Sequence, residues 1–239
     1  MRDALPAVRA LEAELFGVAS YGKIVPQAML DLPRLGALNV HPSLLPLYRG
    51  ATPLQSQLRD GVRESGVTII LMDAGMDTGD IVLQERAPIG ERETYGELHD
   101  RFAALGAALL GRAVRAAAAG TLARTPQAGR ASDAEIARTL TRPLRKEDLL
   151  VDWRRPAARV VDLVRSLAPQ PGARALLEGE SSPVKILEAR VAASAEPGTL
   201  AVRCGDGAFV VVERLVPPSR GATSGAAYAA ARGAAAKPR

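Results

Sequence analysis

An asparagine and a histidine stand two residues apart at the end of a short apolar run, Leu38-Asn39-Val40-His41. Side chains alternate along an extended strand, so Asn39 and His41 point to one side while Leu38 and Val40 point to the other. An amide and an imidazole set side by side could hold a carbonyl oxygen and move a proton. The chain continues as Pro42-Ser43-Leu44-Leu45-Pro46, an apolar loop bracketed by prolines that could flank a flat ligand and offer backbone amides to its polar edge. Tyr48-Arg49-Gly50 then adds a cation and a hinge. A second cluster, residues 72–81 (MDAGMDTGDI), carries three aspartates through two glycine turns. One of them, best read as Asp77, could reach back to His41 and fix its tautomer or raise its pKa. Taken singly, the Asn-x-His pair also suits plain structural hydrogen bonding, and the Asp-Gly cluster a plain turn. Asp-Thr-Gly at 77–79 is the triplet of aspartic proteases as well. Those need two such carboxylates on apolar strands, and a single copy in an α/β pattern argues against that chemistry.

The elements needed to position these groups can be read along the chain. Residues 13–22 and 37–41 are short buried-strand patterns, and 27–36 between them is a short helix stopped by Pro33 and Gly36. Pro53 and Gly61 bound a helix. Residues 66–73 (GVTIILMD) form the clearest strand, nearly all apolar as expected of a strand covered on both faces, and 80–89 is the next. Residues 94–120 are a long helix with apolar positions at helical spacing. Strands alternating with helices predict an open, mostly parallel α/β sheet, whose ligands gather at the carboxyl ends of its strands. After Gly120 the pattern changes. Residues 121–145 lack a sustained period and read as a linker. A helix at 156–169 then precedes β-like runs at 173–179, 183–192, 198–207 and 208–216, spaced as in a small all-β barrel. The Ala/Gly-rich end of the chain predicts one short helix and a frayed tail at 234–239.

Charge divides the chain in the same place. Residues 1–130 hold 14 Lys/Arg and 14 Asp/Glu, whereas 131–239 hold 17 against 12, so the whole net charge of +5 lies in the second part. A basic part beside a neutral one suggests an anionic macromolecule held by one region while the other does something else. No stretch approaches the ~20 uninterrupted apolar residues that span a bilayer, and the first 16 residues carry acids through their apolar positions, unlike a secretory signal. The single cysteine, Cys204, excludes an internal disulfide and a thiolate metal site. A reducing, cytoplasmic setting is expected, with no membrane and no metal.

Residues 36–55 (GALNVHPSLLPLYRGATPLQ) together with 66–84 (GVTIILMDAGMDTGDIVLQ) resemble the folate-dependent formyltransferases, and the YRGATPLQ continuation most resembles the members acting on methionyl-tRNA. The likeness runs from about Ala19 to Leu110. The second part also resembles the tRNA-binding domain of those members, at 146–153, 164–173, 184–191, 196–200 and 205–217. The resemblance implies a Rossmann-like catalytic domain at 1–120, a linker at 121–145 and a small OB-like barrel at 146–233. It implies formyl transfer from 10-formyltetrahydrofolate, as co-substrate, to the α-amine of methionine on initiator tRNA. Carried over by motif, Asn39 would donate to the developing oxyanion. His41 would stabilise it and assist proton movement, and Asp77 would orient His41 or relay the amine's proton. Ser43, Leu44, Leu45 and Pro46 would line the folate pocket. Lys146, Arg154, Arg155 and Arg159 would hold tRNA phosphates.

The same resemblance implies that the catalytic domain is incomplete. The family normally places a strand–helix–strand–helix–strand unit of some 70 residues (roughly three strands of the sheet) before the counterpart of residues 16–22, and Phe16–Ser20 would become an apolar sheet edge. Three accounts compete: a start assigned inside a longer gene, a truncated remnant, or a partner covering the edge. The family is monomeric, but self-association through that edge stays open. A catalytically inactive fragment that keeps folate or tRNA affinity is the alternative to an active enzyme, and formyl transfer to a small amine is a third reading.

Overall fold

The computed structural model describes residues 4–178, 180 and 182–232, arranged as two compact units. The first takes the chain up to Pro53, then Arg63–Ile89 and His99–Pro143; the second takes Leu54–Val62, Gly90–Leu98 and the chain from Leu144 onward.

Chain order begins with α1 (Leu5–Arg9), β1 (Phe16–Ala19), the single-turn α2 (Gln27–Leu30) and β2 (Ala37–His41). Then come α3 (Pro53–Asp60), β3 (Glu64–Leu71), β4 (Ile81–Pro88), α4 (Tyr95–Ala118) and α5 (Asp133–Thr139). The sheet order is β1-β2-β3-β4. Only β1 and β2 are parallel; β3 runs antiparallel to both β2 and β4. The expected mostly parallel sheet is therefore a mixed one. Alternation alone would make α3 a crossover helix on this sheet, yet residues 54–62 belong to the second unit. β3 is buried from Ser65 to Ile70, which explains its near-continuous apolar run. Cross-strand partners point to one face, so the pair Val40–Ile69 shares the face that α4 covers. A Cβ on Gly106 would sit 2.6 Å from Val40 Cγ1, a close approach that only glycine permits. Phe102, Leu109, Ala113 and Ala117 bury the same side of that helix at three- and four-residue spacing.

The stretch expected to be a linker is not one. Residues 121–143 fold as part of the first unit, with Gln127, Thr139 and Thr141 buried. Ser132 and Glu135 cap α5 reciprocally. The absence of an apolar period misleads here because the segment is fastened by backbone bridges, Thr125 to Ile81 and Thr141 to Gly50, and by polar side chains.

In the second unit, α6 (Ala157–Leu167) packs on an antiparallel sheet of β5 (Ala173–Ala175), β6 (Val184–Ala192), β7 (Leu200–Arg203), β8 (Phe209–Val216) and β9 (Thr223–Ser224), followed by α7 (Gly225–Arg232). The path is β5-β6-β8-β7 with β9 on β8, so the expected small barrel takes the form of a five-stranded sheet without a closing pair among the described residues. Its core gathers Trp153, Val160, Val164, Leu167, Leu177, Ile186, Val202, Val210, Val212, Leu215 and Tyr228. Arg165, 4% exposed, pairs with Asp162 at 2.8 Å and donates to the Leu58 carbonyl at 3.2 Å, holding α3 in this unit. The expected short terminal helix is α7, docked through Tyr228 and Ala229; the tail expected at 234–239 lies outside the described residues.

Candidate active site

Strand β2 delivers Asn39 and His41 to the sheet face opposite α4, beside their β3 partners Ile70 and Thr68. Asn39 is half-buried, and its amide has no hydrogen-bond partner among the described residues. His41 is buried at 4% exposure, and both ring nitrogens have neighbours. Nε2 lies 2.9 Å from the Tyr48 carbonyl and Nδ1 lies 3.6 Å from Asp77 Oδ2. A carbonyl oxygen only accepts, so Nε2 carries a proton and donates it to Tyr48. In the neutral ring Nδ1 therefore presents its lone pair towards Asp77. Burial pushes the imidazole below its ordinary 6.5, while the Asp77 carboxylate and the Tyr48 carbonyl pull it back up and Arg49 lowers it. The result is a neutral imidazole whose vacant position faces a carboxylate: it can take one proton at Nδ1, and Asp77 stands ready to balance the charge.

Asp77 reaches this position through a backbone φ of +55°, which aspartate tolerates better than most residues. Two groups hold it there. Its Oδ2 accepts from the Gly50 amide at 2.7 Å, its carbonyl accepts from Gln127 Nε2 at 2.8 Å, and its side chain is 17% exposed. Gly50 itself has φ +110°, and a Cβ there would lie 2.1 Å from the Thr141 carbonyl oxygen.

The loop Ser43–Pro46 is pinned rather than free. Thr68 Oγ1 donates to the Ser43 carbonyl at 2.6 Å and accepts from the Leu45 amide at 3.3 Å and from Gln84 Nε2 at 2.9 Å. Gln84 Nε2 also donates to the Leu45 carbonyl at 3.0 Å. The Ser43 hydroxyl is spent on the Leu47 carbonyl at 2.7 Å, and the Leu45 side chain packs inward on Ile70 and Ile81. Pro46 is buried and Leu44 half-buried. Of the four side chains expected to line a pocket, Leu44 alone is not fully buried.

The three residues expected to do chemistry thus lie on neighbouring segments of one unit, with His41 and Asp77 in direct proximity. Sequence reasoning missed the residues that hold them: Thr68, Gln84, Gln127 and Thr141. Thr68 and Gln84 leave a faint signal as polar residues inside strand patterns; Gln127 and Thr141, in an aperiodic segment, leave none. In the second unit Lys146, Arg154, Arg155 and Arg159 are all exposed. Arg154 is bound to Asp152 at 2.8 Å and Arg159 donates to the Asp60 carbonyl at 2.8 Å, whereas Lys146 and Arg155 form no ion pair among the described residues. Those residues contain no group of three or more His, Cys, Asp or Glu fit to hold a metal ion, and no helix long and apolar enough to cross a membrane.

Comparison with known proteins fits this geometry. The family model described as formyl transferase matches residues 2–114, and that described as formyl transferase, C-terminal domain, matches 143–233. A methionyl-tRNA formyltransferase of Anaeromyxobacter dehalogenans is 45% identical over 231 residues, 91% of this chain and 72% of that protein. One of Stutzerimonas stutzeri is 43% identical over 217 residues, 87% and 67% of the two chains. Among solved structures, a HypX variant from Aquifex aeolicus superposes with a TM-score of 0.68 at 18% identity, over 95% of this chain and 40% of that one. The sugar 3N-formyl transferase WlaRD gives 0.66 at 15% identity, over 89% and 76%. With both family domains present in order and relatives this similar along most of its length, the chain belongs to the formyl transferase family.

Proposed function

We propose that the chain transfers a formyl group from 10-formyltetrahydrofolate to the α-amine of methionine esterified to initiator tRNA, in the cytoplasm, as a step of translation initiation. The observation that carries this reading is the run of relatives named methionyl-tRNA formyltransferase, 39–45% identical across both domains.

The residues then divide the work as follows. Asn39 donates its free amide to the formyl oxygen as negative charge develops there during attack by the amine. His41, neutral and buried, takes up the proton released by that amine at Nδ1, with Asp77 compensating the charge. The same proton then serves the departing folate nitrogen. The Ser43–Pro46 loop supplies a preformed wall for the donor, through Leu44, because Thr68 and Gln84 hold it in place. Of Lys146, Arg154, Arg155 and Arg159, Lys146 and Arg155 are without an ion pair among the described residues and offer their heads to phosphate, so binding of methionyl-tRNA should weaken as salt rises.

The test is formylation of methionyl-tRNA by the purified chain with 10-formyltetrahydrofolate. Losing one oxyanion donor typically costs ~10²–10³ in rate, so Asn39→Ala and His41→Ala should each lose at least that much while staying folded. Near-normal turnover in either would remove that residue from the chemistry. One observation favours a second reading, folate or tRNA binding without turnover: β1 is an outer strand, unpaired on one side among the described residues. Saturable methionyl-tRNA binding by a folded chain that forms no product would select it.

A further inference from the structure

Gln127 lies 50 residues beyond Asp77, in a segment with no apolar pattern, yet it is 4% exposed and uses every hydrogen-bonding position it has. Its Nε2 donates to the carbonyls of Asp77 at 2.8 Å and Gly79 at 2.7 Å. Its Oε1 accepts from Arg49 Nη2 at 2.7 Å and Nε at 3.2 Å. One amide therefore joins the loop that follows β2 to the loop that follows β3. The flanking chain repeats the connection. Thr125 bridges Ile81 through both backbone groups, Thr139 Oγ1 accepts from the Tyr48 amide at 3.3 Å, and Thr141 donates from its amide and its hydroxyl to the Arg49 carbonyl at 2.8 and 3.0 Å. Two of the anchored residues meet the His41 ring, Tyr48 through its carbonyl and Asp77 through its carboxylate.

We propose that residues 125–141 are a strap across the two catalytic loops, and that Gln127 is the positioning residue in it, setting the distance between Asp77 and His41. Gln127 touches neither His41 nor any reacting atom. It acts by holding the Asp77 backbone in its left-handed conformation and by keeping Arg49 off the Asp77 carboxylate. Only an amide of this length meets the demand, since the position needs two donors at one atom and an acceptor at its neighbour. A carboxylate at 127 would set oxygen against two carbonyls. The effect on turnover rests on the formyl-transfer reading; the effect on His41 does not.

That separation makes the test decisive. The chain has two histidines, the buried His41 and the exposed His99, so the imidazole NMR signals of His41 can be assigned and followed against pH. Asp77 and Arg49 are the charged groups acting on the His41 ring, and Asp77 acts more strongly. In Gln127→Met, of similar volume and without polar atoms, the His41 midpoint should move to lower pH as Asp77 drifts away. Misplacing a catalytic group by ~1 Å costs on the order of 10²-fold, so kcat should fall by about that factor with KM for methionyl-tRNA unchanged. Asp77→Asn should shift His41 in the same direction, and adding Gln127→Met to it should cost little more. If Gln127→Met fails to fold, Gln127→Asn supplies the same readouts with a shorter amide. An unmoved His41 titration in a folded variant overturns the proposal. A shifted His41 in a chain that never turned over sustains the strap and counts against the proposed activity instead.

Discussion

The hydroxyl of Thr68 is the smallest group on which the site loop depends, and its removal has a magnitude that can be worked from the contacts. Thr68 is fully buried, so Thr68→Val leaves shape and volume nearly unchanged and deletes only polar contacts. Three partners lose the oxygen: the Ser43 carbonyl, the Leu45 amide and Gln84 Nε2. Gln84 Nε2 keeps the Leu45 carbonyl, so two buried backbone groups lose this partner. At ~1–3 kcal/mol for each buried group left unsatisfied, the loss is about 2–6 kcal/mol, a large share of a typical domain's ~5–15 kcal/mol. Thr68→Ser keeps all three contacts and removes one methyl, a change of about 1 kcal/mol with its small cavity. Urea unfolding followed by far-UV circular dichroism reads both variants, and the order of midpoints is the sharp result: wild type, then Ser, then Val. Folate affinity should follow the same order, because the Val variant frees the Ser43–Pro46 loop. A Val variant as stable as the Ser variant would refute the argument, since it would mean that the polar contacts of Thr68 contribute no more than its methyl.

Three further outcomes are expected. A buried His41 whose pKa is lowered from 6.5 binds fewer protons folded than unfolded over the interval between the two values. Stability should therefore fall as pH drops through 6.5 and hold level above it, and the His41→Gln variant should show a shallower fall in urea titrations at pH 5–7. Arg165→Met leaves Asp162 without its 2.8 Å partner and strips the Leu58, Gly90 and Glu93 carbonyls of a donor; breaking a buried pair costs about 3–5 kcal/mol, readable as an earlier urea midpoint. Gly50→Ala places a methyl 2.1 Å from the Thr141 oxygen at a φ of +110°, so it should displace the Gly50 amide from Asp77 and abolish turnover while thermal melting still shows a folded chain.

How far the sequence could be read depended on what held each part in place. The face of β2 that carries Asn39 and His41 was legible, because alternation along a strand needs nothing beyond the chain itself. The choice of Asp77 among three aspartates came from reach and resemblance, and the 3.6 Å approach to His41 agrees with it. The mixed sheet was not legible. Alternation of strands and helices does not report strand direction, and α3 is tied by Arg165, 107 residues from the Leu58 carbonyl it binds, to the second unit. The pocket-lining role of Ser43 and Leu45 was carried over by motif, and a motif does not tell that the Ser43 hydroxyl turns to the Leu47 carbonyl or that the Leu45 side chain turns to Ile70 and Ile81. Residues 121–145 read as a linker because periodicity reports an apolar face, whereas 121–143 are held in the first unit by amides, hydroxyls and carbonyls.

The strap also bears on the order in which the molecule is made. Its fastenings join residues far apart in the chain, 78 between Arg49 and Gln127, 91 between Tyr48 and Thr139, and 92 between Arg49 and Thr141. Closing loops of that length is slow compared with pairing neighbouring strands. The β2–β3–β4 meander can form while the strap is still unattached, and at that stage the chain already carries every residue of the site motif with the site itself unassembled. Competence for chemistry is then a late event in folding, acquired when the strap docks. A nascent chain released before residue 141 would contain Asn39, His41 and Asp77 in full, with Asp77 in no fixed relation to the pair on β2.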